Sequence, residues 1–407
     1  MRKLILDKSS LIVAFLCSPV LSLWFVFTEC CNNKRYAYIL LSLFMGLLSM
    51  LVCFPWSDLY RHYLEYIQIS RFDWSDFLNY QSLNIKMDFL LQWMEYIYSH
   101  IGLSFGFIRF TFIFVVYLLY FNIYNLYCQM QYSSTFLRRL YCLGVIMLFI
   151  PFATISNGLR FGFAISLFAY VMCRWFIFEK RNYWDYIILL LSVYTHMAIL
   201  IFLFMVLLSI LMPNRLDKKI FLLILFISFQ SSYLILNYSS YLPFSYELNR
   251  YIAFYTEGRY STMDGYMTGG NIFYWILVAG PYVLLLIYFL YIYAYVPYNK
   301  QTKLIYVLFL LYGFTSSFFA LNARVMHVIL LVGGLYLLRY LDFKKSFIMI
   351  LLIYTIGINV VQWRKYWHSH WYYLFAPVPV ALTGDFSDEW VNENILPDGN
   401  PRLFNHN

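Results

Sequence analysis

The sequence predicts an all-α fold, a polytopic transmembrane helical bundle with about 10–12 membrane segments. The 407 residues are 62% hydrophobic and only 12% charged, whereas soluble domains carry about 25% charged residues. The mean hydropathy is +0.64. Apolar runs close to the length of about 20 residues that a membrane-spanning helix needs recur along the chain. These properties exclude an ordinary soluble globule, a disordered chain and a nucleic-acid-binding module.

Apolar segments of span length follow one another, separated by short polar loops. In the first, bulky aromatic residues such as Trp24 occupy positions where a signal peptidase needs small ones, so we expect a transmembrane helix. The candidate spans lie near residues 10–28, 36–54, 101–127, 139–156, 158–178, 219–237, 271–294, 304–321, 324–340 and 346–362. A further apolar segment, 186–211, is interrupted at Thr195-His196, which predicts a broken or re-entrant hairpin. No soluble domain interrupts the series, so residues 1–407 form one integral membrane domain.

The distribution of charge predicts which loops face the cytoplasm. One group of loops holds 15 Lys and Arg against five Asp and Glu: residues 29–35, 128–139, 174–185, 212–219, 295–303 and 339–345. A second group, the outer loops 55–100 and 238–270 and the C-terminal tail 363–407, holds eight Lys and Arg against 14 Asp and Glu. The positive-inside rule places the first group in the cytoplasm and the second outside. Arg2, Lys3 and Lys8 disagree, because this topology puts the N-terminus outside.

The densest polar cluster lies in the first outer loop. If helical, Asp58, Arg61, His62 and Glu65 are spaced so that they share one face. Such a face can hold an anion and also move a proton, whereas the alternative is an exposed, self-neutralising helix whose ion pairs contribute little. Further along this loop, residues 87–97 have amphipathic helical spacing, which predicts a helix that lies in the interface or packs into the bundle.

Three arginines lie in or at the edge of apolar spans: Arg109, Arg160 and Arg324. Charged residues within spans are costly and mark candidate functional sites. Arg160 opens a helix after Ser156-Asn157-Gly158-Leu159, where backbone N–H donors and a guanidinium together suit a phosphate. We expect Arg324 at the outer end of its span. For Arg109 we expect a side chain that snorkels to the lipid headgroups.

Other chemistries find little support in the sequence. Neither Walker A, G-x-G-x-x-G before a helix nor H-E-x-x-H occurs, which disfavours ATP, NAD and zinc chemistry. The seven cysteines form no C-x-x-C pair, and we expect reduced or buried thiols without a metal. His368 and His370 form an isolated H-x-H, too weak for a metal site. His196, at the predicted break, is either a structural or a functional histidine.

The order of these motifs resembles a known family. An outer-loop Asp58-Leu59-Tyr60-Arg61-His62-Tyr63 precedes Ser156-Asn157-Gly158-Leu159-Arg160. A basic loop then leads to Tyr194-Thr195-His196, and Asn322-Ala323-Arg324 comes late. This arrangement, over roughly residues 36–340, is similar to the EpsG-like branch of the Wzy-type bacterial polysaccharide polymerases.

The resemblance implies a membrane glycosyltransferase, multi-pass in the bacterial inner membrane, with a GT-C-like architecture whose outer loops form the active site. Such a polymerase joins glycan repeat units carried on undecaprenyl diphosphate, in capsule, exopolysaccharide or O-antigen synthesis, and uses neither a cofactor, a metal nor a nucleotide sugar. Its partners would be the lipid-linked oligosaccharide, the bilayer, a chain-length regulator and a flippase, with no nucleic acid. We expect Arg160, Arg324, Arg61 and Arg250 to bind the diphosphate. Asp58 is the first candidate base, followed by His62, Glu65 and His196.

Two other functions remain open from the sequence. A lipid-linked glycan flippase or another transporter would show internal repeats and a polar cavity at the membrane midplane, whereas the polar residues here concentrate in outer loops. A membrane acyltransferase that modifies surface glycans would need a catalytic histidine, for which His196 is available. A non-catalytic export scaffold is disfavoured by the cluster around Asp58.

Overall fold

The computed structural model describes residues 7–55, 58–83, 89–130, 135–150, 152–238, 272–340, 356 and 370–396. Over these residues the chain is helical and contains no β-strand, which confirms the predicted all-α class. The helices are α1 (Lys8–Cys17), α2 (Pro19–Cys31), α3 (Arg35–Val52), α4 (Asp58–Ile69), α5 (Trp74–Leu83), α6 (Phe89–His100), α7 (Phe105–Met130), α8 (Phe136–Phe149), α9 (Phe152–Asn157), α10 (Leu159–Met172), α11 (Tyr183–Thr195), α12 (Ile199–Leu211), α13 (Lys218–Tyr238), α14 (Ile272–Tyr295), α15 (Lys303–Phe314), α16 (Phe319–Tyr340), α17 (Val378–Ala381) and α18 (Asp388–Asn394). A π-helical turn, Cys173–Ile177, continues α10, and a 3-10 turn covers Trp371–Phe375.

Among the described residues, four helical segments are long and apolar enough to cross a membrane. They are Arg35–Val52, Phe105–Gln129, Leu159–Ile177 and Lys218–Ile235. In the last of these, Leu223, Phe226 and Ile227 are exposed, as an apolar surface in contact with lipid would be. These segments are consistent with the predicted membrane protein. The predicted span 346–362 falls almost wholly outside the described residues.

The first predicted span, 10–28, is not one helix. Asp7 caps α1, since its carboxylate accepts a hydrogen bond from the Ser10 N–H at 2.7 Å, and α1 ends after 10 residues. Ser18 is extended, with φ −159° and ψ 103°, and Pro19 begins α2. A proline disfavours helical backbone in the residue before it but is well suited to the first turn of a new helix. The prediction of one continuous helix over residues 10–28 was wrong, because apolar composition alone does not reveal the break.

The predicted interruption of the segment 186–211 is confirmed. Helix α11 ends at Thr195 and α12 begins at Ile199. His196 between them is extended, with φ −159° and ψ 116°. The backbone N–H of Asn182 donates to the Asp185 carboxylate at 2.9 Å at the start of α11, an N-terminal capping interaction. Whether this segment enters and leaves the membrane on one side stays a prediction.

The chain divides into two compact units. The first unit comprises Met1–Val171, Asn182–Ile199 and Trp363–Asn407. Within it, α3 packs along α7, α4 packs on α6, and α6 in turn contacts α7 and α11. At Gly46 an added Cβ would lie 3.1 Å from the backbone oxygen of Phe110, so glycine permits the close approach of α3 to α7.

Tyrosine and phenylalanine form much of the interior of the first unit. Tyr117, Tyr120 and Phe121 are almost completely buried, and the rings of Phe112 and Phe163 stack with centroids 4.1 Å apart. Their burial explains an aromatic content of 23%, which exceeds what interfacial belts of a membrane protein would need.

The second unit comprises Met172–Arg181 and Leu200–Gln362. Its helix α15 packs against α13 and α16, and α16 also contacts α14 and the π-helical turn. Lys303, only 5% exposed, donates to the carbonyl oxygens of Ile210 at 3.2 Å and Met212 at 3.3 Å. These carbonyls lie at the end of α12, where a cation satisfies backbone acceptors that the helix leaves without a partner.

Candidate functional site

The cluster predicted in the first outer loop is a helical face. Helix α4 begins at Asp58, whose negative charge suits the helix N-terminus. The Arg61 guanidinium lies 2.7 Å from the Asp58 carboxylate. His62 lies between two carboxylates, with Nε2 3.8 Å from Asp58 and Nδ1 3.5 Å from Glu65. The structure therefore brings these four residues together, as their spacing predicted.

Exposure divides this face into an outer and an inner half. The side chains of Arg61 and Asp58 are 63% and 52% exposed. Those of His62 and Glu65 are only 1% and 16% exposed. The outer pair meets solvent, where an ion pair contributes about 0–1 kcal/mol to stability, and its charges remain accessible to a ligand. The inner pair points into the protein, where polar groups need partners.

The two carboxylates of α4 are both held in the ionised form. Partial burial opposes the ionisation of Asp58, but the His62 imidazole and the guanidiniums of Arg61 and Arg160 outweigh it, so the pKa of Asp58 lies below its usual range. For Glu65, burial is likewise outweighed by His62, Gln92 and Tyr80, which lower its pKa to about 2. The Tyr80 hydroxyl and the Gln92 amide donate to one Glu65 oxygen at 2.9 and 2.8 Å.

Glu95, on α6, is a site residue that no sequence motif marks. Its side chain is completely buried, and neither carboxylate oxygen has a hydrogen-bond partner among the described residues. Burial, together with the charge of Glu65, raises the pKa of Glu95 well above its usual range. The signal was present in the sequence, because Leu91, Gln92 and Glu95 share the buried side of an amphipathic helix.

His62, Glu65 and Glu95 are the residues that could hold a metal ion in the part of the chain described. One potential ligand atom from each lies within 4.8 Å of the others. The cysteines do not form such a group, and all seven are free thiols. His370, half of the H-x-H motif, stacks its ring on Phe386 at 4.5 Å, and its partner His368 lies outside the described residues.

Arg160 joins the face of α4 at an open pocket of about 480 Å³. Its lining includes Arg61, His62, Glu65 and Arg160. The charge of Arg160 also contributes to the lowered pKa of Asp58. Arg160 lies in the first turn of α10, where the helix dipole favours anions. The guanidiniums of Arg61 and Arg160 and the ionised carboxylate of Glu65 therefore line one pocket. The two arginines come from segments about a hundred residues apart in the chain.

The remaining predicted site residues are His196, Arg324 and Arg250. His196 packs its ring edge-on against Phe161, with centroids 5.4 Å apart, and its Nδ1 accepts a hydrogen bond from the Ala198 N–H at 3.1 Å. Arg324 is a half-buried residue of α16 in the second unit. Arg250, with most of the second outer loop, lies outside the described residues. The neighbouring Asn322 is buried and donates to the Tyr312 carbonyl at 2.9 Å.

The expectation that Arg109 snorkels to the headgroups is wrong. Its side chain is 1% exposed, and its guanidinium lies 2.9 Å from the Asp385 carboxylate. Asp385 also accepts hydrogen bonds from the Ser104 hydroxyl and from the Gly106 N–H, the latter at 2.8 Å. Arg109 is therefore an internal structural partner of the C-terminal segment, although it lines a second pocket of about 360 Å³ together with Tyr63 and Phe386.

No known family, curated protein or solved structure matches this chain in comparisons of its sequence and fold.

Proposed function

We propose that this chain is a membrane glycosyltransferase, a polymerase that joins glycan repeat units carried on undecaprenyl diphosphate. The observation that carries the proposal is the pocket at which Arg61 and Arg160 meet, with the Asp58 carboxylate beside them. The resemblance of the surrounding motifs to the EpsG-like polymerases supplies the substrate class.

The charges at this pocket suit a diphosphate leaving group. A guanidinium binds phosphate oxygens through two parallel hydrogen bonds, and Arg160 adds the positive end of a helix dipole. Fixed cations at a site where negative charge develops stabilise the transition state. Arg61, 63% exposed, can exchange its bond to Asp58 for one to the incoming phosphate. The resemblance adds Arg324 and Arg250 to the proposed set of diphosphate-binding residues.

The reaction is a displacement at an anomeric carbon. The hydroxyl oxygen of the acceptor unit bonds to that carbon, the bond from carbon to the diphosphate oxygen breaks, and undecaprenyl diphosphate leaves with the electron pair. Asp58 accepts the hydroxyl proton as general base. Its lowered pKa keeps Asp58 ionised and so able to accept a proton. His62, Glu65 and His196 are the alternative bases.

The proposal includes the cellular setting. The chain would be a multi-pass protein of the bacterial inner membrane, with a GT-C-like arrangement whose outer loops carry the chemistry. Its substrate would be a lipid-linked oligosaccharide of a capsule, exopolysaccharide or O-antigen, delivered by a flippase, and a chain-length regulator would act with it. The residues proposed to act are protein side chains, and no cofactor takes part in the steps described.

The test is deletion of the gene in its bacterium, followed by sizing of the surface glycan. The proposal expects loss of polymer while single repeat units still reach the surface. Accumulation of repeat units on the cytoplasmic face would overturn it in favour of a flippase. Normal polymer with altered acylation would overturn it in favour of an acyltransferase.

Point variants then test the site. Arg160→Ala and Arg324→Ala should abolish polymer at normal expression, and Arg160→Lys should restore only part of it because lysine lacks the bidentate geometry. Arg71→Ala is the matched control, since Arg71 is an exposed arginine of the same outer segment outside the pocket. Full-length polymer from both Arg160→Ala and Arg324→Ala would exclude the assignment.

A further inference from the structure

The inner half of the α4 face and the facing side of α6 form a buried group of two carboxylates and one imidazole. His62 and Glu65 come from α4 and Glu95 from α6. One candidate ligand atom of each lies within 4.8 Å of the other two. The exposed half of the same face, Arg61 and Asp58, takes no part in this group.

Glu95 is the residue that points to a ligand. It has no exposed surface, and both its carboxylate oxygens lack a hydrogen-bond partner among the residues described. The ring nitrogens of His62 face the carboxylates of Asp58 and Glu65 at 3.8 and 3.5 Å without a hydrogen bond. Buried polar atoms are almost always satisfied in native proteins, and an isolated buried carboxylate is very costly. A cation between these groups would satisfy them together.

The Glu65 carboxylate is oriented by hydrogen bonds to act as a second ligand of the cation. One of its oxygens is occupied by the Tyr80 hydroxyl and the Gln92 amide, and the Gln92 carbonyl in turn accepts from the Gln81 amide at 2.7 Å. The other Glu65 oxygen faces His62 Nδ1 at 3.5 Å. Outer-shell hydrogen bonds of this kind orient the ligands of metal sites.

We propose that His62, Glu65 and Glu95 bind one divalent transition-metal ion, Zn²⁺ or Mn²⁺. An imidazole with carboxylates suits these ions, whereas Mg²⁺ and Ca²⁺ prefer oxygen ligands alone. Ligands at normal bond lengths around a tetrahedral ion lie about 3.4 Å apart, so small side-chain rotations close the group around the ion. Two carboxylates neutralise its charge.

The ion would connect α4 to α6 beside the pocket that Arg61 and Arg160 line, since His62 and Glu65 line that pocket as well. It does not rest on the proposed polymerase function, because metal binding is measured on the purified protein whatever the reaction. The two proposals are compatible, since the arginines still receive the diphosphate and Asp58, which is outside the group, remains the base.

The experiment measures metal binding by the full chain in detergent, purified with a tag that contains no histidine. After treatment with EDTA and removal of the chelator, the protein is incubated separately with Zn²⁺, Mn²⁺ and Mg²⁺. Metal content after gel filtration and the thermal unfolding temperature are then recorded. We expect one equivalent of Zn²⁺ or Mn²⁺ per chain and a higher unfolding temperature with that ion, and no comparable effect of Mg²⁺.

Glu95→Gln keeps the shape of the side chain but removes the buried ligand charge. It should weaken binding by more than about tenfold, the loss typical even of outer-shell changes. Asp76→Asn is the control, because Asp76 is an exposed carboxylate of the adjacent α5, and it should bind as the wild type does. If the wild-type chain takes up neither Zn²⁺ nor Mn²⁺, or if Glu95→Gln binds as tightly as wild type, the proposal is wrong. The wild-type measurement decides this even if the variant fails to fold.

Discussion

Arg109 and Asp385 form an ion pair of 2.9 Å with side chains 1% and 10% exposed. The two residues are 276 positions apart in the chain. The pair joins α7, a candidate membrane span, to a C-terminal segment for which charge distribution predicts only an outer tail. Asp388 in the same segment accepts a hydrogen bond from the Tyr63 hydroxyl of α4. The C-terminal segment is therefore part of the first unit, and it contacts the helix that carries the candidate site.

Removal of Arg109 should destabilise the protein strongly. Arg109→Ala leaves the Asp385 carboxylate without its cation, and loss of one member of a buried pair typically costs about 3–5 kcal/mol. The unfolding free energy in detergent, compared with that of Arg71→Ala, measures the effect. Asp385→Asn should also destabilise the protein, because it leaves the buried Arg109 guanidinium without its anion. A double-mutant cycle with no coupling energy between the two positions would contradict this interpretation.

Gly106 should not tolerate a side chain. A Cβ at this position would overlap the Asp385 carboxylate, which leaves glycine as the residue that fits. We expect Gly106→Ala to lose about 1–3 kcal/mol of stability, as overpacking does. Gly144→Ala is the matched control: no atom lies within 4 Å of an added Cβ there. Since Gly144 lies inside α8, alanine should stabilise the protein by about 0.5–1 kcal/mol. Equal effects of the two substitutions would refute the proposed overlap.

Asp58→Asn should reduce activity strongly while it leaves the stability of the protein nearly unchanged. The side chain is 52% exposed, so loss of its ion pair with Arg61 should change the unfolding free energy by at most about 1 kcal/mol. If Asp58 is the base, polymer formation should fall by about 10²–10⁴-fold, the usual contribution of general base catalysis. Quantification of polymer in membranes with matched protein levels tests this, with Asp76→Asn as control. Unchanged polymer would transfer the role to His62, Glu65 or His196.

The predicted topology is tested by labelling single cysteines in a Cys17→Ser background, since Cys17 is the exposed thiol among the described residues. A membrane-impermeant maleimide should label Ser75→Cys, in the first outer loop, on intact spheroplasts. It should label Asn214→Cys, in a predicted cytoplasmic loop, only after permeabilisation. The reverse pattern would invert the topology and place the pocket of Arg61 and Arg160 on the cytoplasmic side, where the proposed reaction does not occur.

The candidate site shows which features local patterns can predict. The shared face of Asp58, Arg61, His62 and Glu65 follows from their spacing within one helix, because helical periodicity depends on neighbouring residues alone. The break at His196 likewise follows from a local interruption of an apolar run. The break at Ser18 was missed, although Pro19 marks it, because the neighbouring residues are as apolar as a continuous span requires.

The sequence by itself determined the all-α class, the apolar segments and the four residues of the α4 face, since each depends on composition or on short-range spacing. Only the tertiary structure decided which partners these residues meet. Glu95 reaches Glu65 and His62, Arg160 reaches the pocket of Arg61, and Arg109 reaches Asp385, because particular helices pack together. The choice of packing partners depends on the fit of whole helix surfaces. For this reason Arg109, expected at the lipid headgroups, is a buried structural residue. For the same reason Glu95, which no sequence motif marks, is a central ligand of the proposed metal site.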